Sequence, residues 1–297
     1  MLVGLPDVLS NLSNNPFDAV RLFPQNNSNG KELMKFTLIT GASGGIGEAF
    51  ARRLAAAKHN LVLVARSEKK LHELCDELVV KHQIAAHYVA LDLTAHDADK
   101  RLFEENERHQ MQIDWLINNA GFGSMGDFAA MDFEHEIGMI DLNVRTLVAL
   151  THRYLQDMRE RKSGTIINVS SVAGFQPIPF MATYGATKAF VSSFTEAIAE
   201  ENRPFGIVTT ALCPGPTETN FFATANAQPL QIKGTQTPEE VVEVALNAVR
   251  SGKAKAISGW TNYISAFFGA FTPNPIITRT IGSVLRPKME ARKKAGK

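Results

Sequence analysis

Thr40-Gly41-Ala42-Ser43-Gly44-Gly45-Ile46-Gly47 follows a short apolar run, Phe36 to Thr40, and leads directly into an amphipathic pattern from Ile46 to Ala57. Placement between a strand and a helix gives these glycines their meaning, since a glycine-rich loop elsewhere would say little. Glycine permits a tight turn and lets backbone N–H groups approach a ligand closely, and the positive end of the following helix favours an anion there. Gly41, Ser43, Gly45, Ile46 and Gly47 are therefore read as the turn that cradles the pyrophosphate of a dinucleotide.

Outward from this turn, short β-branched runs alternate with longer helical patterns, which is the sequence form of βαβ units around a parallel sheet. Strands are predicted at 36–40, 61–65, 88–91, 115–118, 165–169 and 207–212, with a seventh near 254–258. Helices are predicted over 46–57, 68–81, 97–109, 133–158, 183–200 and 238–250. The last begins at Thr237-Pro238-Glu239-Glu240, which offers an N-cap threonine, a first-turn proline and a glutamate at the third position. Right-handed crossovers then give an α/β fold, a Rossmann-like doubly wound parallel sheet with ligands beyond the carboxyl ends of its strands. One domain over 34–255 is expected, preceded by a flexible arm, 1–33, and followed by a helical extension, 256–297, that packs on the domain and ends in a basic tail.

Composition narrows the function classes. The 31 basic residues nearly balance the 30 acidic ones in a chain of 297, so no strong field favours nucleic acid. Cys75 and Cys213 stand far apart without a C-x-x-C pattern, and the eight histidines lack ligand spacing. A reduced, cytoplasmic setting and no metal are expected. The stretch from Met1 to Gly30, rich in Asn, Pro and Ser, lacks the basic start and apolar run of a signal peptide. Met34 stands just before the first strand pattern, so translation starting there is one expectation.

At the end of the second strand, an acidic side chain would bond the 2′-hydroxyl of NAD and repel a 2′-phosphate. Ala65 and Arg66 stand there instead, so a guanidinium can pair with that phosphate and NADP(H) is expected. The alternative is an exposed arginine at a strand end. Asp92, followed by Leu93, can accept from an adenine amino group or cap the next helix. Asn118-Asn119-Ala120-Gly121 ends the fourth strand, where small residues let backbone pass under a cofactor and an Asn amide can tie neighbouring strands.

Tyr184-x-x-x-Lys188, alone, is two common residues one helical turn apart. With Ser171 thirteen positions upstream, the glycine turn, Asp92, the Asn-Asn-Ala-Gly run, Asn143 and Pro214-Gly215, it follows an order and spacing that resembles the short-chain dehydrogenase/reductase family from about Phe36 to Arg250. That resemblance implies a site in which Tyr184 donates a proton to a carbonyl oxygen while Ser171 hydrogen-bonds it. It also favours Ser171 over the adjacent Ser170. A tyrosine is a reluctant base at neutral pH, and the ammonium of Lys188 is expected to lower its pKa and to reach the nicotinamide ribose. Asn143 resembles the residue that holds a water linking Lys188 to solvent, although an asparagine in a helix can also kink it or bond a backbone carbonyl. Pro214 and Gly215 resemble the turn covering the nicotinamide, and Thr217 the residue that bonds its carboxamide.

The loop from Glu218 to Gln236 contains Phe221, Phe222 and Ala223 and reads either as a lid over an apolar substrate or as core packing. Phe175, Pro177, Ile178 and Met181 are expected along the same cleft. Beyond Arg250 the chain runs through Trp260 and Phe267-Phe268-Gly269-Ala270-Phe271 to a basic tail, Lys288 to Lys297. This tail is similar to the subgroup containing long-chain 3-oxoacyl reductases and hydroxysteroid-dehydrogenase-like proteins. Residues 256–271 read as a pocket wall, an oligomer contact or a membrane-surface segment, with packing on the domain favoured. The expectation is an NADP(H)-dependent oxidoreductase acting on a small hydrophobic carbonyl or alcohol, in a homo-oligomer. The alternatives are a catalytically idle nucleotide-binding module and an NAD-linked alcohol dehydrogenase.

Overall fold

The computed structural model describes residues 20–21, 33–219, 221 and 235–295. Most of the expected arm, and Phe222 and Ala223 of the expected lid, lie outside the described residues. Eight strands form one sheet: β1 (Val20–Arg21), β2 (Lys35–Thr40), β3 (Asn60–Ala65), β4 (Ala86–Ala90), β5 (Gln112–Asn118), β6 (Gly164–Val169), β7 (Ile207–Cys213) and β8 (Lys255–Ile257). Their spatial order is β1-β4-β3-β2-β5-β6-β7-β8. The seven from β2 to β8 are parallel, while β1 pairs antiparallel with β4, Val20 opposite His87. Part of the region read as a loose arm thus supplies an edge strand. The order reverses between β2 and β5, and a crevice opens beyond the carboxyl ends of strands at such a reversal.

Nine helices are described: α1 (Gly45–Ala56), α2 (Glu68–His82), α3 (Ala98–Arg108), α4 (Phe133–Ile140), α5 (Leu147–Arg161), α6 (Ala182–Asn202), α7 (Pro238–Arg250), α8 (Trp260–Phe271) and α9 (Asn274–Ala295). The central strands are buried on both faces, so alternate residues feed two cores. Leu61, Leu63 and Ala65 of β3 join Phe50, Leu54, Leu71 and Val241 on one side. Val62 and Val64 join Leu102, Leu150, Tyr154 and Met158 on the other. α7 starts with the expected capping box, Glu240 N–H donating to Thr237 Oγ1 (3.2 Å) and Thr237 N–H to Glu240 Oε2 (3.0 Å).

One segment departs from the sequence expectation. The single helix predicted over 133–158 is α4 and α5 joined by a π-helical stretch, Asp141–Thr146. Asn143 lies in that stretch, where one extra residue per turn re-aims side chains. The chain beyond β8 is two helices, and α9 packs Ile281, Leu285 and Met289 against Met125, Ile178 and Met181 of the domain. No described helix is long and apolar enough to cross a membrane.

Phe50 is fully buried between α1 and the sheet. Phe50→Ala removes a ring that the rigid sheet behind it cannot collapse to replace, and is expected to cost about 3–5 kcal/mol. Urea denaturation of the two proteins measures it.

Candidate active site

The glycine turn is forced by contact as much as by curvature. Gly41 and Gly45 have φ of +67° and +57°, a region that disfavours side chains. A Cβ on Gly41 would lie 2.8 Å from Asn119 Nδ2, and one on Gly47 would collide with Gly41 O. Gly44, between them, has open space around it. The turn is held from below by the end of β5: Asn119 Nδ2 donates to Thr40 O (2.9 Å) and Gly41 O (3.2 Å). Thr40 Oγ1 accepts from Asn119 N–H (3.0 Å) and Ala120 N–H (2.9 Å). The Asn119 amide is therefore committed to tying β5 to the turn. α1 begins here without a side-chain cap, which leaves its first amides to an anion.

A cavity of ≈ 790 Å³ runs from this turn along the strand ends to α6 and α8. Every residue expected to hold the cofactor or to act on the carbonyl lines it except Gly47 and Asn143, which stand directly behind the wall. Arg66 and Lys70 are both exposed at the end of the cavity beside β3. Ser67, the N-cap of α2, makes no side-chain cap and faces the same space. Asp92 Oδ1 accepts from Thr94 N–H (2.9 Å) and Thr94 Oγ1 (2.8 Å), closing a local turn. Those bonds, the backbone one foremost, with Arg66 nearby, hold its carboxyl below the usual range. It does not cap α3, whose N-cap is Asp97.

At the other end three side chains converge. Ser171 is the N-cap of a 3-10 turn, Val172–Phe175, and its Oγ accepts from Ala173 N–H (3.1 Å). It also hydrogen-bonds the phenol of Tyr184, which comes from the first turn of α6. Ser170 points the other way: its Oγ donates to Lys188 O (2.7 Å) and lies 2.7 Å from Ser192 Oγ. Gly174 brings the turn and α6 together, since a Cβ there would lie 2.6 Å from Lys188 C. Lys188 Nζ donates to Val169 O (2.8 Å) and lies 5.9 Å from the Tyr184 ring centre.

Burial governs the electrostatics here. Tyr184 is 7% exposed and its phenol is pushed up to about 12, an effect the Ser171 hydrogen bond only partly offsets. Lys188 is 5% exposed and its ammonium is pulled down to about 8 by the same cause. The tyrosine pKa, expected to be lowered by the ammonium, is in this geometry raised by desolvation.

Asn143 works behind the wall. Its Nδ2 donates to Phe122 O (3.0 Å) and Thr187 Oγ1 (3.1 Å), and its Oδ1 accepts from Phe122 N–H (3.2 Å). It fixes the backbone after β5 to α6. Opposite, Val172 N–H donates to Pro214 O (3.0 Å), and Thr217 Oγ1 donates to Gly215 O (3.0 Å), so that hydroxyl serves its own turn. A Cβ on Gly215 would collide with Asn262 of α8.

Phe122, Phe175, Ile178, Met181 and Phe221 make the apolar side of the cavity, and the Phe221 ring lies 5.3 Å from Tyr184. Pro177, expected beside them, does not line it. Sequence reasoning missed Ser67, Lys70, Phe122, Asn262, Ser265 and Ala266. The last three were detectable as the small and polar positions at i, i+3 and i+4 in an otherwise aromatic helix. Among the described residues, no group of three or more His, Cys, Asp or Glu could hold a metal ion.

These features fit a dinucleotide: a backbone cradle that a Cβ would fill, cations at one end, and Ser171, Tyr184 and Lys188 at the other. Residues 35–230 match the family described as short chain dehydrogenase. The chain is 37% identical over 191 residues to sulfoacetaldehyde reductase 2 of Chromohalobacter salexigens, covering 64% of this chain and 75% of that enzyme. It is 32% identical over 232 residues to the 7beta-hydroxysteroid dehydrogenase of Mediterraneibacter gnavus, covering 77% and 87%. A short-chain dehydrogenase from Sphingobium yanoikuyae, solved in complex with NADPH, superposes with a TM-score of 0.73 at 32% identity, covering 80% of this chain and 93% of that one. Fold, turn, and a family match over most of the sheet agree: the chain is an oxidoreductase belonging to the short-chain dehydrogenase/reductase family.

Proposed function

We propose that this protein is an NADP(H)-dependent oxidoreductase that interconverts a carbonyl and an alcohol on a hydrophobic substrate, with Tyr184 as general acid and base. The observation that carries the reading is the convergence of Ser171, Tyr184 and Lys188 at the apolar end of a cavity that begins at the glycine turn. The backbone from Gly41 to Gly47, Ala120, Gly121, Pro214, Gly215 and Thr217 would hold a nicotinamide dinucleotide. When bound, that cofactor supplies or accepts hydride at the substrate carbon.

The chain's own residues manage the oxygen and its proton. With a pKa near 12, Tyr184 keeps its proton at neutral pH and still yields it to a forming alkoxide, which is the stronger base. Ser171 donates to the same oxygen as its charge grows. Lys188, with its pKa pulled down to about 8, is still mostly protonated at pH 7 and presents a positive charge beside Tyr184. Asn143 positions Gly121 and Phe122 against α6, and a water beside it is its further proposed role. The phenylalanines and methionine lining the cleft support an apolar substrate. Preference for the 2′-phosphate is supported by Arg66, with Lys70 one turn into α2 and the Ser67 hydroxyl beside them, and by Ala65 where an acid would stand.

Tyr184→Phe is expected to lower turnover of a panel of hydrophobic ketones by about 10²–10⁴ while NADPH still binds in a fluorescence titration. Undiminished turnover sinks the assignment, and binding without turnover by the wild type favours an idle module. Arg66→Ala with Lys70→Ala is expected to raise the NADPH KM by about tenfold to a hundredfold and to leave the NADH KM unchanged. Equal effects on both cofactors would remove the two cations from phosphate recognition. Lys188 is charged below its pKa, so ketone reduction should decline as pH rises through about 8. In Lys188→Arg the remaining activity should lose that decline, because a guanidinium stays charged throughout.

A further inference from the structure

α8 has two faces with opposite characters. The inner one, Asn262, Ser265 and Ala266, walls the cavity, and Gly269 continues it toward Gln176. On the outer one, Trp260, Ile264, Phe267 and Phe271 form a stripe at i, i+4, i+7 and i+11, flanked by Tyr263 and Phe268. Trp260 and Phe271 are 75% and 74% exposed, Phe268 64% and Phe267 53%. The rings touch one another, Trp260 stacking on Tyr263 at 6.1 Å and Phe267 meeting Phe271 edge-on at 5.2 Å. The helix contains no charged residue. A continuous patch of this size on a water-facing helix marks an interaction surface.

We infer that the outer face of α8, together with the basic segment that follows, is a docking site for an anionic lipid surface. Tryptophan and tyrosine seat an apolar ring and a polar edge at headgroup depth. Residues 272–297 carry seven basic side chains and one acidic one, although the whole chain is only +1. Arg279, Arg286 and Lys288 of α9 are exposed among them. This pairing of an apolar aromatic stripe with adjacent cations is what an interfacial helix presents to acidic headgroups. A second copy is the less suitable occupant, because a two-fold contact through this face would bring two strongly positive segments together. A helix of 12 residues spans about 18 Å, well short of a bilayer core of about 30 Å, so α8 lies on the surface rather than across it. The proposal concerns binding and stands whether or not the cavity turns over a carbonyl.

The test is flotation of the full chain with vesicles of phosphatidylcholine alone or mixed with phosphatidylglycerol. Co-flotation is expected with the mixed vesicles, weaker on phosphatidylcholine and reduced by high salt. Tryptophan emission should shift to the blue on binding in the wild type but not in Trp260→Phe, since the only other tryptophan, Trp115, belongs to β5. A Trp260→Ser, Phe267→Ser, Phe271→Ser variant should lose about tenfold or more of the partition while keeping its melting temperature and NADPH affinity. Failure of the wild type to float with either vesicle overturns the proposal. So does a triple variant that floats as well as the wild type, or one whose only change is dissociation of an oligomer.

Discussion

Thr40 stands where β2 and β5 diverge, and its hydroxyl uses every hydrogen-bonding capacity it has. It donates to Ile117 O (3.3 Å) and accepts from the N–H groups of Asn119 and Ala120. Asn119 answers by binding the carbonyls of Thr40 and Gly41. This small cross-link decides how far apart the two strand ends lie and how the glycine turn faces the crevice. A dinucleotide site needs backbone at fixed positions rather than reactive side chains at this end, and that is what the cross-link provides.

At the other end the governing constraint is burial. Lys188 and Tyr184 are held one helical turn apart on α6 and pressed against the end of β6 by the bare backbone of Gly174. Desolvation moves the two groups toward their neutral forms, the phenol upward and the ammonium downward. The site therefore keeps a proton on Tyr184 and a labile charge on Lys188. A second buried polar chain lies just beneath it. Asn118 Nδ2 donates to Asn168 Oδ1 (2.9 Å) and Asn168 Nδ2 to Thr195 Oγ1 (3.0 Å), which ties β5, β6 and α6 together.

Much of this was legible in the residues because local rules apply to it. Short β-branched runs, the capping box at Thr237 and the glycine turn are short-range patterns whose physics is complete within a few residues. Ser171, Tyr184 and Lys188 were legible through their spacing and company. The π-helical stretch at Asn143 was not, because the bonds that stabilise it come from Phe122 and Thr187, on other segments. Lys70 was missed because an exposed lysine in a helix is ordinary until β3 and the cavity are seen beside it.

The sequence by itself determined the family and the parallel sheet, since each is written in contiguous or regularly spaced residues. Where the two serine hydroxyls point belonged to the tertiary structure, which turns that of Ser170 into α6 and that of Ser171, the serine its spacing already favoured, toward Tyr184. So did the pKa order at the site and the two-faced character of α8. These depend on which segments surround a side chain and how much water they exclude, and neither can be read from order along the chain.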